Sequence, residues 1–429
     1  MGLWDVEQVV GLAPDAASVK AGQGLARGEK WSGAGATDRA VWGLCQGSGK
    51  QPYQTGVDLS GPAYKCSCPS RKFPCKHALG LLLLWAKGEV PAADEPDWVQ
   101  TWVSQRAERP ERKPGEVADP VAAQERAARR AARVSAGLAE LAGWLDDQVR
   151  QGLGGFDQRA YAELSRLAAR MVDAQAPGVA GAVRRAAAAV GRGHGWPGEL
   201  LEELSLIHLV VAAHGRLADL PPSLADTVQS RIGWTTETAR VLADGEKVED
   251  DWLMLGRVVE PDERLTVRRV WLRGAMTGRI GLILTFAAAG QPLDPLPARP
   301  GEYVPGALSF YPGALPMRAL LTQTDPRGPA SRPAGLTVRQ ALASYVESLA
   351  ADPWNERWPL VLRDVRPAPY GEGWALVDSA GDGLELLPGW DPMKLLAVSV
   401  GDPVTVAGEW NRAGLRPMTC WRDDRPVIL

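Results

Sequence analysis

The sequence predicts an α+β protein that is built from several domains. Its 429 residues exceed what one hydrophobic core ordinarily supports, so two or three domains are expected. The apolar pattern also changes along the chain. In the central part apolar residues recur with helical spacing, whereas the C-terminal part carries short β-type runs bounded by Gly, Pro and Asp. A smaller segment with hairpin and helix signals precedes both parts.

The composition is that of a globular protein without a membrane-spanning segment. Hydrophobic residues make up 45% and charged residues 23% of the chain, which is typical of soluble domains. The apolar run 79–86 is broken by Gly80 and is too short to cross a bilayer. Because the first residues lack a basic segment followed by an apolar one, no secretory signal is predicted. We therefore expect a cytoplasmic protein with no membrane partner.

Residues 1–90 are predicted to form one small domain of strands and a helix. The strand-like runs 40–45 and 53–59 flank a Gly-rich turn, as in a β-hairpin. A third short strand is expected at 64–68. The segment 75–87 has apolar residues at helical spacing and predicts a helix.

Composition divides the remaining chain into three parts. Residues 91–120 contain five prolines and mixed charge, which predicts a linker, and two tryptophans within it indicate a short helix that docks on a neighbour. Residues 121–245 predict an all-helical region of five or six helices. Residues 250–429 predict a β-rich region of barrel or sandwich type, with a helix at 338–350 between its halves.

Two helices of the central region can be predicted in more detail. The segment 199–213 is apolar enough to form a buried helix. The first helix of the region is expected to bury one stripe of side chains, namely Val134, Leu138, Leu141, Leu145 and Val149.

The same first helix carries four arginines on another face. Arg126, Arg129, Arg130 and Arg133 are spaced i, i+3, i+4 and i+7, and their face lies about 110° from the apolar stripe. Such a face is most often the solvated flank of an amphipathic helix. The alternative is a surface that binds phosphate or acidic groups.

A cluster of potential metal ligands lies near the end of the first domain. Cys66, Cys68, Cys75 and His77 include three of the five cysteines of the chain. Three thiolates and one imidazole form the closed tetrahedral donor set of a structural zinc site. In a cytoplasmic protein, clustered thiols indicate metal ligands rather than disulfides. A reduced cluster without metal is the alternative, and the order and spacing of the ligands disfavour it, so we expect Zn²⁺ as the cofactor.

Local geometry sets conditions on this cluster. Residues i and i+2 of a straight strand point to opposite faces, so Cys66 and Cys68 need a kink, which Pro69 and Ser70 can provide. Cys75 and His77 are also two residues apart, a spacing that fits the start of a helix. Four protein ligands leave no position for water or substrate, so this zinc is expected to organise structure and not to catalyse.

The spacing C-x-C-x₆-C-x-H resembles the SWIM zinc finger family. All four ligand positions match, with strands before the first pair and a helix after the second, and the likeness covers about residues 40–88. The resemblance implies a module that binds DNA or protein. Bacterial SWIM proteins similar to this one are found beside a MoxR-type AAA+ ATPase and a von Willebrand factor A-type protein. That association implies such partners and a role in ATPase-driven assembly or remodelling.

Two functions are compatible with this finger. The first is a non-catalytic scaffold or adaptor that binds a protein partner, because a net charge of -3 disfavours a protein that coats nucleic acid with its whole surface. The alternative is nucleic-acid binding, above all to DNA, through residues 65–87, which hold five cations and no Asp or Glu. These candidate partner-binding cations are Lys65, Arg71, Lys72, Lys76 and Lys87.

No sequence motif indicates catalysis. The Gly-rich turn at 47–50 lacks the first glycine of a P-loop and the Ser or Thr that follows its lysine. The G-x-S-x-G and H-E-x-x-H patterns are absent, and four histidines, one of them in the metal motif, leave little for acid–base chemistry. We therefore expect that the protein is not an enzyme. Its oligomeric state stays open at this point.

Overall fold

The chain forms two compact units. The computed structural model describes residues 9, 16–46, 51–59, 63–68, 70, 74–107, 120–152, 156–191, 193, 195–262, 265–288, 291, 293, 296, 298–322, 327–329 and 331–429. The first unit comprises residues 1–116 with 259–268 and 285–295, and the second comprises residues 117–258, 269–284 and 296–429.

The first unit contains a four-stranded antiparallel sheet whose strands follow one another in chain order. Its elements are α1 (Ala16–Leu25), β1 (Trp31–Ala36), β2 (Ala40–Cys45), β3 (Tyr53–Asp58), β4 (Ala63–Cys66), α2 (Lys76–Ala86) and α3 (Asp97–Ala107). The predicted hairpin and helix are confirmed as β2, β3 and α2. Strand β1 was not predicted, because its Ser, Gly and Ala residues are weak strand formers.

Helices α2 and α3 cover opposite faces of this sheet. Val41 of β2 packs in the apolar cluster around α2. Its neighbours Ala40 and Trp42 pack instead with Val99 and Val103 of α3. This alternation follows from the period of two along a strand. Helix α3 therefore docks on the sheet, which confirms the short docking helix predicted from the two tryptophans of the proline-rich segment.

Helices α1 and α2 approach each other closely at two glycines. A Cβ atom at Gly22 would lie 2.8 Å from Leu79 Cβ, and one at Gly80 would lie 2.7 Å from Leu25 Cβ. These distances are too short for real side-chain contacts, so glycine is what lets the two helix backbones come together. The contact supports α2, the helix that carries the second half of the metal motif.

We expect Gly22→Ala to destabilise the first unit by about 1–3 kcal/mol, because the added methyl group must push α1 away from Leu79. Gly24→Ala is the matched control on the same helix, since its Cβ would meet nothing within 4 Å; it should be neutral or stabilising by up to about 1 kcal/mol. Native-state hydrogen exchange of the α2 amides measures both effects. Equal protection in the two variants would contradict the close contact.

Helices make up the first part of the second unit. They are α4 (Pro120–Gln151), α5 (Asp157–Asp173), α6 (Pro177–Ala189), α7 (Trp196–Gly215), α8 (Pro222–Ile232) and α9 (Thr238–Asp244). Proline stands in the first turn of α6, α7 and α8, where its missing N–H costs no hydrogen bond. Within the part of the chain that the structure describes, no helix is long and apolar enough to cross a bilayer.

The predicted burial of these helices is largely confirmed. Val134, Leu138, Leu141 and Leu145 of α4 are buried. The prediction was wrong for Val149, which is 84% exposed, because α4 continues for a further turn beyond the buried stripe.

Helix α7 is also less buried than its composition predicts. Leu201 is 59% and Leu209 40% exposed, while Leu200, Leu204 and Ile207 are buried. The helix is therefore amphipathic, with one apolar face in the core.

The C-terminal part contains two antiparallel six-stranded sheets, which confirms the predicted β-rich region. One sheet has the order β10-β8-β5-β6-β7 with β9 paired to β8, and the other has the order β13-β12-β11-β14-β15-β16. The elements are β5 (Lys247–Asp262), β6 (Leu265–Gly274), β7 (Ile280–Ala288), β8 (Glu302–Phe310), β9 (Ala319–Leu321), β10 (Arg327–Pro329), α10 (Val338–Ala351), β11 (Trp358–Tyr370), β12 (Gly373–Val377), β13 (Gly383–Glu385), α11 (Met393–Ser399), β14 (Val404–Asn411), β15 (Gly414–Arg422) and β16 (Arg425–Ile428).

A buried ion pair joins the two sheets of the second unit. Arg269 of β6 donates two hydrogen bonds of 2.8 Å to the Glu409 carboxylate of β14, and Trp271 Nε1 donates a third of 2.7 Å. Both charged side chains are buried. Burial of either charge alone would be costly, so removal of one partner should destabilise this contact between the sheets.

Polar contacts also join the helices to the sheet region within the second unit. Trp354 packs into the helical core and its Nε1 donates a hydrogen bond of 2.9 Å to the Leu206 carbonyl. Arg231 of α8 pairs with Asp352 at 2.7 Å. These contacts tie the helices to the loop between α10 and β11, while the sheets keep apolar clusters of their own.

Candidate metal centre

The side chains of the cysteine–histidine motif converge between the end of β4 and the start of α2. Cys66 is the last residue of β4, Cys75 caps the N-terminus of α2 and His77 lies in its first turn. Their ligand atoms and that of Cys68 lie within 4.8 Å of one another. The distances from His77 Nδ1 to the sulfurs of Cys66 and Cys75 are 3.7 and 4.0 Å. Around a tetrahedral zinc, sulfur and nitrogen ligands lie about 3.6 Å apart, so the spacing suits one ion.

The sheet holds the first half of the motif in place. Cys66 lies opposite Thr55 in the β3–β4 pairing. Beyond it, the Ser67 N–H donates to the Gln54 carbonyl and the Gln54 N–H donates to the Ser67 hydroxyl, each at 3.0 Å. These bonds fix the chain where it leaves the strand and turns toward Cys68. Of the residues predicted to provide the kink, Pro69 lies outside the described residues.

Backbone N–H groups surround the sulfurs. The N–H of Cys68 donates to the sulfur of Cys66, that of Ser70 to Cys68, and that of Ala78 to Cys75. The first-turn N–H groups of α2 add the positive end of the helix dipole. Three thiolates around Zn²⁺ carry a formal charge of about -1, so these donors stabilise the charge that remains.

Hydrogen bonds also couple the three thiols to one another. The pKa of Cys66 is lowered to about 3, mainly because the Cys75 thiol donates to its sulfur, with His77 and Thr55 assisting. The pKa of Cys75 is raised because its proton is held in that bond, and burial raises the pKa of Cys68. Zinc binding must displace the remaining protons, so metal affinity should rise with pH.

Two parts of the chain match known families. Residues 57–86, which include all four ligands, match the SWIM zinc finger, and residues 129–232 match the SWIM-associated four-helix bundle domain. The chain carries a SWIM zinc finger. This finding confirms the resemblance inferred from the spacing. No curated protein and no solved structure matches the chain.

The donor set of the SWIM finger fits zinc. Three sulfurs and one imidazole nitrogen are the ligands of closed structural zinc sites. Cys45 and Cys420 lie outside the cluster and are buried thiols. Burial raises the pKa of both, that of Cys420 to about 12, so neither supplies a ready thiolate.

Lys65 of the finger points away from the metal ligands. Its Nζ atom lies 5.7 Å from the ring centroid of Trp98 and 6.0 Å from that of Trp102, both on α3. The same two rings pack over Gly56 of β3, where a Cβ would lie 3.2 Å from the Trp102 ring. Lys65 therefore helps to hold α3 on the sheet through cation–π contact.

Two of the other predicted partner-binding cations lie at opposite ends of α2. Lys76 is the first residue of α2 and Lys87 is its C-cap, and both are exposed. The helix separates them by roughly 16 Å along its axis. Arg71 and Lys72 lie outside the described residues.

Two side-chain contacts at the finger were not predicted. Thr55 Oγ1 lies 3.3 Å from Cys66 Sγ, and the Tyr53 ring centroid lies 4.9 Å from that of His77. Both contacts join residues that are distant in sequence. They form only because β3 pairs with β4 and α2 packs against the sheet. The available signal was strand alternation, which puts Tyr53, Thr55 and Val57 on one face.

We expect Thr55→Val to weaken zinc binding by about tenfold, because the variant removes a hydroxyl that hydrogen-bonds to the Cys66 sulfur. Thr55→Ser keeps the hydroxyl and should bind zinc almost as tightly as the natural protein. Competition with a chromophoric chelator measures the affinity of each. The same affinity for Val and Ser at this position would show that the hydroxyl does not support the ligand.

Proposed function

We propose that the protein is a non-catalytic, zinc-stabilised adaptor that binds another protein. The observation that carries the proposal is the closed donor set, in which four protein ligand atoms lie within 4.8 Å of one another. Such a set leaves no coordination position for water or substrate. Within the described residues, no second group of side chains is arranged to hold a metal. The zinc then shapes a surface and takes no part in turnover.

The partner in this proposal is a MoxR-type AAA+ ATPase or the von Willebrand factor A-type protein associated with it, in the cytoplasm. The support is family likeness, since bacterial SWIM proteins of this kind accompany those proteins. The architecture is also suited to an adaptor. The SWIM finger lies in one compact unit and the SWIM-associated helical domain in another, so each can offer its own surface.

DNA binding through the finger is the competing function, and it has less support. Lys65 packs against two tryptophans, and Lys76 and Lys87 stand at opposite ends of α2. A phosphate backbone is best bound by cations that share one surface.

The first test mixes the full-length, zinc-loaded chain with a purified MoxR-type ATPase from the same organism. Size-exclusion chromatography with light scattering should detect a stable complex. Cys75→Ala should abolish the complex, because it removes a zinc ligand and unfolds the finger. Cys420→Ala, which alters a buried thiol outside the cluster, is the matched control and should retain it.

A parallel titration measures the DNA affinity of the full-length chain at 50 and 200 mM salt. Substitution of Lys65, Lys76 and Lys87 by Ala should leave any DNA affinity unchanged. The adaptor proposal is overturned if no complex forms with the ATPase and DNA affinity falls when these three lysines are replaced.

A further inference from the structure

The beginning of α4 is an exposed, basic helical segment. Residues 124–133 precede Val134, which is the first buried side chain among those that the structure describes in this helix. All of them are exposed except Arg130, which is half-buried. We call this segment the α4 arm. It extends for roughly 15 Å with almost its whole circumference in solvent.

The α4 arm has a net charge opposite in sign to that of the chain. The arm holds four arginines and one glutamate, which gives +3, whereas the whole chain carries -3.

One arginine of the predicted face contacts the rest of the helical domain. Arg130 donates a hydrogen bond of 3.2 Å to the Gly233 carbonyl and lies 5.3 Å from the ring centroid of Trp234. It fixes the arm to the body of the helical domain.

The other three arginines of the arm are available to a partner. Arg129 pairs with Glu125 at 3.2 Å, but both side chains are more than 60% exposed, so the pair is weak and easily exchanged. Arg126 and Arg133 lie two turns apart on the same side of the helix, roughly 10 Å from each other along the axis.

The remaining residues of the arm indicate which kind of partner it suits. A helix that docks into a protein groove offers large apolar side chains at i, i+3 or i+4, and i+7. Apart from its charged residues, the α4 arm contains four alanines and one glutamine. It therefore lacks an apolar anchor for a protein groove. Its small side chains keep the helix narrow, and the major groove of B-form DNA, about 12 Å wide, admits an α-helix.

We propose that the α4 arm binds double-stranded DNA by lying in the major groove, where Arg126, Arg129 and Arg133 contact phosphates. With the arginines on phosphates and with alanines that carry no hydrogen-bonding group, Gln124 is the one uncharged side chain of the arm that can hydrogen-bond to a base, so the binding should depend little on sequence. A-form RNA has a major groove too narrow for a helix, so duplex RNA should bind more weakly. This interaction goes beyond the adaptor function and does not require the zinc finger.

The test measures fluorescence anisotropy of a labelled 20-base-pair duplex with the full-length chain at 50 and 200 mM salt. Neutralisation of three phosphates predicts an affinity loss of about 40-fold between the two salt concentrations. The triple variant Arg126→Ala, Arg129→Ala, Arg133→Ala should lose at least tenfold in affinity at 50 mM salt and most of the salt dependence. Alanine favours helix, so circular dichroism should stay unchanged.

The matched control replaces three exposed arginines elsewhere in the helical part of the second unit. Arg166→Ala, Arg216→Ala and Arg240→Ala change the net charge by the same amount, and this triple variant should bind DNA as the natural protein does. Cys75→Ala should also keep its DNA affinity, which separates the arm from the finger.

Several outcomes would overturn the proposal. They are absence of binding at 50 mM salt, equal affinity of the arm variant and the natural protein, and equal loss in the control triple variant. Competition by poly-L-glutamate as strong as that by unlabelled duplex would also overturn it and indicate an acidic protein partner. If single-stranded DNA binds as tightly as duplex DNA, binding of the arm in the major groove is excluded.

Discussion

The closure of Cys66, Cys68, Cys75 and His77 around one zinc ion is the constraint on which the first unit depends. The ligands come from the end of a strand and the start of a helix, so a single ion fixes how β4 and α2 meet. Zinc contributes roughly 10–16 kcal/mol in finger peptides, which is comparable to the whole stability of an ordinary domain, about 5–15 kcal/mol. The helix contact at Gly22 and the docking of α3 refine a geometry that the metal sets.

The same four ligands also determine what the zinc ion can do. Because the four ligands complete the coordination sphere, the ion supports the surfaces around it. Among the described residues of the second unit, no side chains are grouped to hold a metal ion. Its sheets are joined by the buried Arg269–Glu409 pair with Trp271, and Trp354 ties them to the helical core. The first unit is thus organised around a metal site, and the described part of the second around packed side chains and buried polar contacts.

Local signals in the sequence accounted for much of this architecture. Ligand spacing predicted the metal centre, and apolar periodicity predicted α2 and the buried stripe of α4. Features that depend on distant partners were missed. Strand β1 is Gly- and Ala-rich and exists because it pairs with β2. Thr55 reaches the finger only through strand pairing, and Arg130 leaves its predicted solvated face because Gly233 and Trp234, a hundred residues later, pack against it.

X-ray absorption spectroscopy at the zinc K-edge of the full-length protein tests the central claim most directly. A closed SWIM finger predicts one zinc per chain with three sulfur scatterers at about 2.3 Å and one nitrogen at about 2.0–2.1 Å. A light scatterer in place of one sulfur, or a fifth ligand that exchanges with solvent, would mean that the site is open. The zinc would then have a position for substrate, and the account of a structural ion and a non-catalytic adaptor would be contradicted.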